Sequence, residues 1–178
     1  TIDGLELAGE SEAAVNHDAT QAACRIFTTT LEVLEANEEL RREVFGPCSI
    51  ITECPTLDDM LRFANSLEGQ LSAMIHGTEQ DLIDFAPLIR VLEKKVGRLI
   101  FNGFATGIEV CPSMHHGGPY PAASHSHFTS IGTASIYRWV RPVSYQGFPD
   151  AALPEPLKAK NTSGAMRIVD GALTRDDA

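Results

Sequence analysis

A carboxylate and an aromatic ring stand two residues apart in Glu43-Val44-Phe45-Gly46-Pro47. An ionised carboxylate offers two acceptor oxygens, which suits the paired hydroxyls of a sugar diol, while a phenyl face suits another flat ring. Before the turn lies a charged, helix-permissive run, Asn37-Glu38-Glu39-Leu40-Arg41-Arg42. After it comes an apolar, β-branched run, Cys48-Ser49-Ile50-Ile51-Thr52, which reads as a buried strand. Gly46 and Pro47 break the helix and permit the sharp reversal between them. The pair is thereby held at a strand's mouth. Glu43 also has a plainer reading, as one more solvated charge among Glu38, Glu39, Arg41 and Arg42.

Two other residue types could do chemistry. His115, His116, His125 and His127 fall within thirteen residues of a segment rich in Pro, Gly and Ser. Imidazoles this close can take zinc or nickel, so a metal-binding module is an alternative function. No cysteine or carboxylate completes a recognisable ligand set, and no metal ligand is assigned. The four cysteines, at 24, 48, 54 and 111, form no C-x-x-C pair. They are expected to be mostly small buried hydrophobes in a reduced, cytoplasmic protein. Cys48 starts a strand, and Cys54 and Cys111 each precede proline. None is assigned a catalytic role.

Composition narrows the classes. The 178 residues are enough for one domain with a real core, and 43% hydrophobic against 21% charged residues indicates a soluble globular chain. The net charge of −10, with no basic cluster larger than a pair, argues against nucleic acid or an anionic membrane as partner. No apolar run approaches the roughly 20 residues of a membrane span, and no secretory signal is visible.

The elements that must position these residues form a mixed pattern. Leu5, Leu7 and Ala8 suggest a short strand ending at Gly9, followed by a polar stretch through Ala19 and a second strand over 24–30. From 48 to 101 the order is clearer: strand 48–53, a capped helix from Thr56, strand 70–76, a second capped helix from Thr78, and strand 98–101. The first helix carries Leu57, Met60, Leu61, Ala64 and Leu67 on one face. The stripe of the second is Leu82, Ala86, Ile89, Leu92 and Val96, with Lys94 and Lys95 near its negative end and Gly97 as its stop. Pro87 should kink or divide that helix. Short links imply an α/β fold with a parallel βαβαβ sheet covered by helices, and ligands bind beyond the carboxyl ends of such strands. The third strand delivers Asn102-Gly103-Phe104 to that edge. Residues 111–121 cannot be regular, 133–141 alternate as a half-exposed strand, and the tail beyond Pro142 reads as loop.

Taken together, Glu43-Val-Phe-Gly-Pro47, the strand–helix–strand unit, Phe101-Asn102-Gly103 and Gly117-Gly118 resemble the C-terminal half of an aldehyde dehydrogenase. More narrowly, four motifs resemble the 2-oxoglutarate semialdehyde (2,5-dioxovalerate) dehydrogenase branch: Leu67-Glu-Gly-Gln-Leu71, Phe101-Asn-Gly-Phe104, His116-Gly-Gly-Pro-Tyr-Pro121 and Arg141-Pro-Val-Ser-Tyr-Gln146. The likeness covers residues 37–158. It implies an oxidoreductase that turns 2-oxoglutarate semialdehyde, or a similar small aldehyde, into a carboxylic acid with NADP or NAD. Glu43 would hydrogen-bond the nicotinamide ribose, and Phe45 would lie beside the nicotinamide ring. Asn102, Gly103 and Phe104 would help wall the aldehyde pocket, as would His116. The stretch 133–146 would be an oligomerisation strand extending a partner subunit's sheet.

The resemblance also carries a departure. The family's nucleophile is a cysteine in a Gly-Gln-x-Cys setting upstream of the Glu-Val-Phe-Gly-Pro turn, and its general-base glutamate lies further upstream. The 42 residues before Glu43 contain no such setting. The expectation is therefore a fragment, inactive alone, whose partner is the upstream part of the same enzyme. Its parts would be 1–132 of a catalytic domain, an oligomerisation strand over 133–148, and a polar, proline-containing tail over 149–178. A non-catalytic interaction protein is the remaining alternative.

Overall fold

The computed structural model describes residues 2–12, 14–16 and 18–178. Thr1, Ala13 and His17 lie outside the described residues, the latter two within the polar stretch read from the sequence. Backbone contacts divide the chain into two units, Thr1–Arg138 and Trp139–Ala178.

In the first unit, β1 (Glu6–Glu10) and β2 (Arg25–Thr29) pair antiparallel, with the register shifting between Leu7 and Gly9. A helix absent from the sequence expectation follows: α1 (Leu31–Ala36). The Thr30 hydroxyl caps it by accepting from the Val33 N–H, and Leu31 and Leu34, one turn apart, are buried. The charged run after it forms a 3₁₀ helix, Glu38–Arg41.

β3 (Cys48–Thr52) lies parallel to β2, Arg25 facing Cys48 and Thr29 facing Thr52. α2 (Leu57–Ser66) starts where its cap predicts, with the Thr56 hydroxyl accepting from the Asp59 N–H at 3.1 Å. It turns Leu57, Met60, Leu61 and Ala64 inward, and Arg62 bridges to Glu35 of α1 at 3.0 Å. β4 (Gln70–Ile75) follows, then α3 (Glu79–Asp84), opened by a complete capping box. The Thr78 amide and hydroxyl both donate to the Asp81 carboxylate, which holds its pKa below the ordinary carboxylate value.

Pro87 divides the second helical run, as its missing N–H requires. α3 ends at Asp84, and α4 (Ala86–Leu92) restarts with Pro87 in its first turn, where no partner is needed. α4 packs against α2. β5 (Val96–Phe101) then pairs parallel with β4, Gln70 facing Val96 and Ile75 facing Phe101.

The chain is thus mixed α/β, but the strands are shared between sheets. β4 and β5 pair around α3 and α4, whereas β3 takes β2 as its neighbour. Lys95 also serves a different helix from the one expected. Its ammonium donates to the carbonyls of Asn65 (2.9 Å) and Leu67 (2.6 Å), so a cation closes the negative end of α2.

Gly97 is no helix stop. It lies inside β5, where an added Cβ would run into the Gly117 carbonyl. Likewise a Cβ on Gly69 would strike Pro119, and one on Gly118 would strike the Gln70 carbonyl. Three glycines therefore let the irregular segment 117–121 lie directly on the starts of β4 and β5. The Gly69 N–H donates to the Tyr120 carbonyl at 3.2 Å.

The expected strand over 133–148 is absent. Thr133–Arg138 is a 3₁₀ helix entered through Gly132 (φ 100), with the Ser135 N–H donating to the Gly132 carbonyl. Alternation alone cannot make a strand; a ladder needs an edge to pair with, and none meets these residues among those described. The second unit is likewise not all loop. Two 3₁₀ turns, Asp150–Ala152 and Glu155–Leu157, precede a hairpin of β6 (Arg167–Val169) and β7 (Ala172–Thr174). Asp170 (φ 48) and Gly171 (φ 83) make its two-residue turn, the Asp-Gly signal of such hairpins. The Arg167 guanidinium donates to the carbonyls of Lys158, Ala159 and Asp176, so polar contacts organise this unit. No helix among the described residues is long and apolar enough to cross a membrane.

The close approach at Gly97 is directly testable. Gly97→Ala must displace the 117–121 segment or β5, and should lower stability by about 2–3 kcal/mol. Urea titration of the variant beside its parent reads this, and an unchanged midpoint would remove the constraint.

Candidate functional site

Tight turns fix the Glu43–Pro47 stretch. The Gly46 N–H donates to the Val44 carbonyl at 2.8 Å, and the Cys48 N–H to the Gly46 carbonyl at 2.9 Å. Each closes a three-residue turn, the first centred on Phe45 and the second on Pro47. Phe45 is consequently thrust outward, 98% exposed.

Glu43 lines an open groove of about 670 Å³ with Arg41 and Arg42 on its own side. Glu68 to Ser72, with Pro121 and Ala122, complete its lining. Two stretches quoted from the sequence, Leu67-Glu-Gly-Gln-Leu71 and His116-Gly-Gly-Pro-Tyr-Pro121, thus meet beside the carboxylate. Arg42 is engaged by Glu38 at 2.7 Å, which raises the guanidinium's pKa and lowers that of Glu38. Arg42 is therefore paired with Glu38 rather than with Glu43.

His116 lines an adjoining groove with Gly117, His125, Phe128, Ser130 and Arg138. Leu71 and Ala122 border both grooves. The backbone of His116 is fixed on both sides. Its N–H donates to the Thr129 hydroxyl at 2.8 Å, and its carbonyl accepts from the Ser130 N–H at 2.9 Å. Thr129 is the buried polar residue here, and its hydroxyl is fully used because it also donates to the Ile131 carbonyl.

Asn102, Gly103 and Phe104 stand elsewhere, past the carboxyl ends of β4 and β5. Asn102 adopts a left-handed conformation (φ 49) that asparagine tolerates, and its amide is spent on the Gly77 backbone. Phe104 is exposed and tilts against the His76 ring, 5.2 Å between centroids. Sequence reasoning passed over His76, whose signal was its position at the end of a strand.

The histidine segment does not gather into a metal centre. His125 and His127 lie 6.3 Å apart, both packed against the Phe128 ring, and no group of three or more potential ligands occurs among the described residues. The cysteines are less buried than expected. Cys24 and Cys48 are exposed at the rim where β2 and β3 begin, and Cys54 and Cys111 are half-buried. Burial, with the Asp59 carboxylate adding to it, pushes the Cys54 thiol up. That is the opposite of an activated nucleophile.

Comparison with curated proteins gives the geometry a context. The chain is 41% identical over 170 residues to the alpha-ketoglutaric semialdehyde dehydrogenase 2 of Azospirillum brasilense, covering 96% of this chain and 32% of that protein. It is 44% identical over 161 residues to the alpha-ketoglutaric semialdehyde dehydrogenase of Acinetobacter baylyi, covering 88% of this chain and 30% of that protein. It spans about a third of the length of the curated relatives it matches. No protein-family model matches the chain. The resemblance to aldehyde dehydrogenases read from scattered motifs therefore extends across nearly all of these residues.

Thiol chemistry offers a check on the cysteine assignment. Under limiting iodoacetamide at neutral pH, Cys24 and Cys48 should alkylate before Cys54, read by peptide mass spectrometry over time. A fast-reacting Cys54 would overturn its reading as a thiol held up by burial.

Proposed function

We propose that this chain is the C-terminal part of a cytoplasmic aldehyde dehydrogenase that oxidises 2-oxoglutarate semialdehyde, or a close analogue, to the carboxylic acid. The observation that carries the reading is the match, along nearly the whole chain, to two proteins named for that activity. Further support comes from apolar strand residues left uncovered in this chain, including Ile26, Ile51, Leu71, Met74 and Phe101. Such faces call for further protein to cover them. In the finer reading, the β2–β3 and β4–β5 pairs are parts of one parallel α/β sheet completed by the rest of the enzyme.

Glu43 at the first groove and Phe45, which stands outside the groove's lining two residues on, fit a nicotinamide cofactor, NADP or NAD. Glu43 presents two acceptor oxygens not claimed by Arg42, and a ribose diol supplies two donors. Phe45 presents an open ring on a fixed backbone. When bound, the nicotinamide supplies a hydride acceptor. The work of these residues is orientation: Glu43 holds the ribose and Phe45 limits sliding of the ring. His116, at the groove beside the starts of β4 and β5, and Asn102, Gly103 and Phe104, past the carboxyl ends of those strands, would shape separate parts of the aldehyde pocket, with Asn102 acting through its hold on Gly77. The nucleophilic cysteine and the general base are assigned to the rest of the enzyme, since no Gly-Gln-x-Cys sequence occurs in this chain.

Self-association is the second half of the reading. Trp139, Val140, Val143, Tyr145 and Phe148 are all exposed within one ten-residue stretch. An apolar run of this kind is suited to burial against another copy, where it could take up the extended pairing it lacks here.

Two measurements test these roles in the complete enzyme. Glu43→Gln should slow single-turnover hydride transfer on the order of a hundredfold while leaving cofactor affinity within a few-fold, because it disturbs orientation near the reacting carbon. Unchanged single-turnover rates would return Glu43 to a solvated charge. Trp139→Glu should reduce the assembled fraction in sedimentation velocity, and a variant that assembles like its parent would remove the association role.

A further inference from the structure

The loop after β5 displays one exposed side chain from a backbone clamped at both ends. At its start, Asn102 Oδ1 accepts from the Gly77 N–H (3.0 Å) and Nδ2 donates to the Gly77 carbonyl (2.9 Å). At its far side the Arg98 guanidinium reaches out of β5. Nη2 donates to the Ala105 carbonyl at 2.7 Å and Nη1 to the Gly107 carbonyl at 2.9 Å. Between the clamps stands Phe104, 75% exposed, its ring against His76.

Arg98 is a costly residue to use as a brace. Its Nε is buried without a hydrogen-bond partner, and no carboxylate forms an ion pair with it among the described residues. Arg98 as a whole is half-buried, and burying even its Nε unpartnered is unfavourable. What arginine supplies in return is a rigid fork that engages two carbonyls at once, which a single ammonium cannot reproduce. Exposed phenyl rings are otherwise free to move with their loops. This one is fixed by two independent side-chain clamps and flanked by a second ring, which is the arrangement of a contact surface.

We infer that Arg98 is a positioning residue for Phe104, and that the Phe104–His76 ring pair is a wall that selects the aldehyde. This rests on the reading of the chain as part of a semialdehyde dehydrogenase. Arg98 does not itself meet the substrate. It sets the path of residues 105–107, and through them the place of the ring.

The test is a double-mutant cycle in the complete enzyme, with 2-oxoglutarate semialdehyde and an unbranched aldehyde lacking a carboxylate as substrates. Arg98→Lys should raise KM for the semialdehyde about tenfold, with kcat and the cofactor KM within about twofold, because only ground-state fit to the wall is disturbed. Preference for the semialdehyde over the plain aldehyde should fall with it. In a Phe104→Ala background, Arg98→Lys should add nothing further. Asn102→Asp loosens the other clamp, since a carboxylate cannot donate to the Gly77 carbonyl, and should give the same signature. If Arg98→Lys does not fold, Arg98→Gln, which also loses the two-carbonyl fork, is carried through the same cycle with Phe104→Ala and decides in its place. A KM effect of full size in the Phe104→Ala background overturns the inference, as does a lowered melting temperature with unchanged KM and preference. If the parent enzyme turns over only other aldehydes, the functional reading fails, and the same cycle run on the substrate it does accept still decides whether Arg98 acts through Phe104.

Discussion

The close approach of backbone to backbone at Gly69, Gly97 and Gly118 is the constraint on which the remaining arrangement depends. Segment 117–121 has no regular structure of its own, yet it lies on the starts of β4 and β5 with no room for a Cβ at any of the three positions. That contact brings Pro121 and Ala122 to the groove that Glu43 lines. It also delivers His116 to the neighbouring groove, where Thr129 and Ser130 hold its backbone. A methyl group at one of these glycines would separate the two grooves from the strands that frame them.

The local punctuation of the chain was legible in advance because its physics is local. Thr56 and Thr78 cap helices through their own hydroxyls, and Pro87 cannot donate within a helix. What could not be read depended on distant partners. Gly97 has the same sequence context as a helix stop, and only the Gly117 carbonyl lying over it reveals the other role. Lys95 follows one helix and closes another. Residues 133–148 alternate as a strand would, but a strand is a property of a pair, and here the segment begins as a 3₁₀ helix. Two further elements carry local signals of their own: Thr30 before Leu31 and Leu34 is a helix start, and Asp170-Gly171 between short apolar pairs is a hairpin turn.

The candidate site divides the same way. Glu43 and Phe45 were legible as a chemically apt pair, since two breakers and a strand follow them in sequence. The groove that Glu43 lines was not, because its other walls arrive from residues 68–72 and 121–122. Likewise Phe104 was visible as a loop aromatic, whereas the Arg98 fork that steadies its loop reaches forward to carbonyls that carry no sequence signature. Backbone acceptors are the same at every residue, so the partner of a half-buried arginine is the hardest part of such a site to foresee.

The two three-residue turns around Phe45 have a thermodynamic consequence. A ring on a mobile loop must give up backbone and rotamer freedom when something docks on it, and that loss offsets much of the favourable free energy of docking. At Phe45 the backbone has already been fixed by the hydrogen bonds to Val44 and Gly46, so little order remains to be imposed. The ring is also wetted on nearly its whole surface. A flat ligand stacking there releases that hydration, and the signature of its arrival is a negative change in heat capacity, with only a small contribution from ordering of the turn.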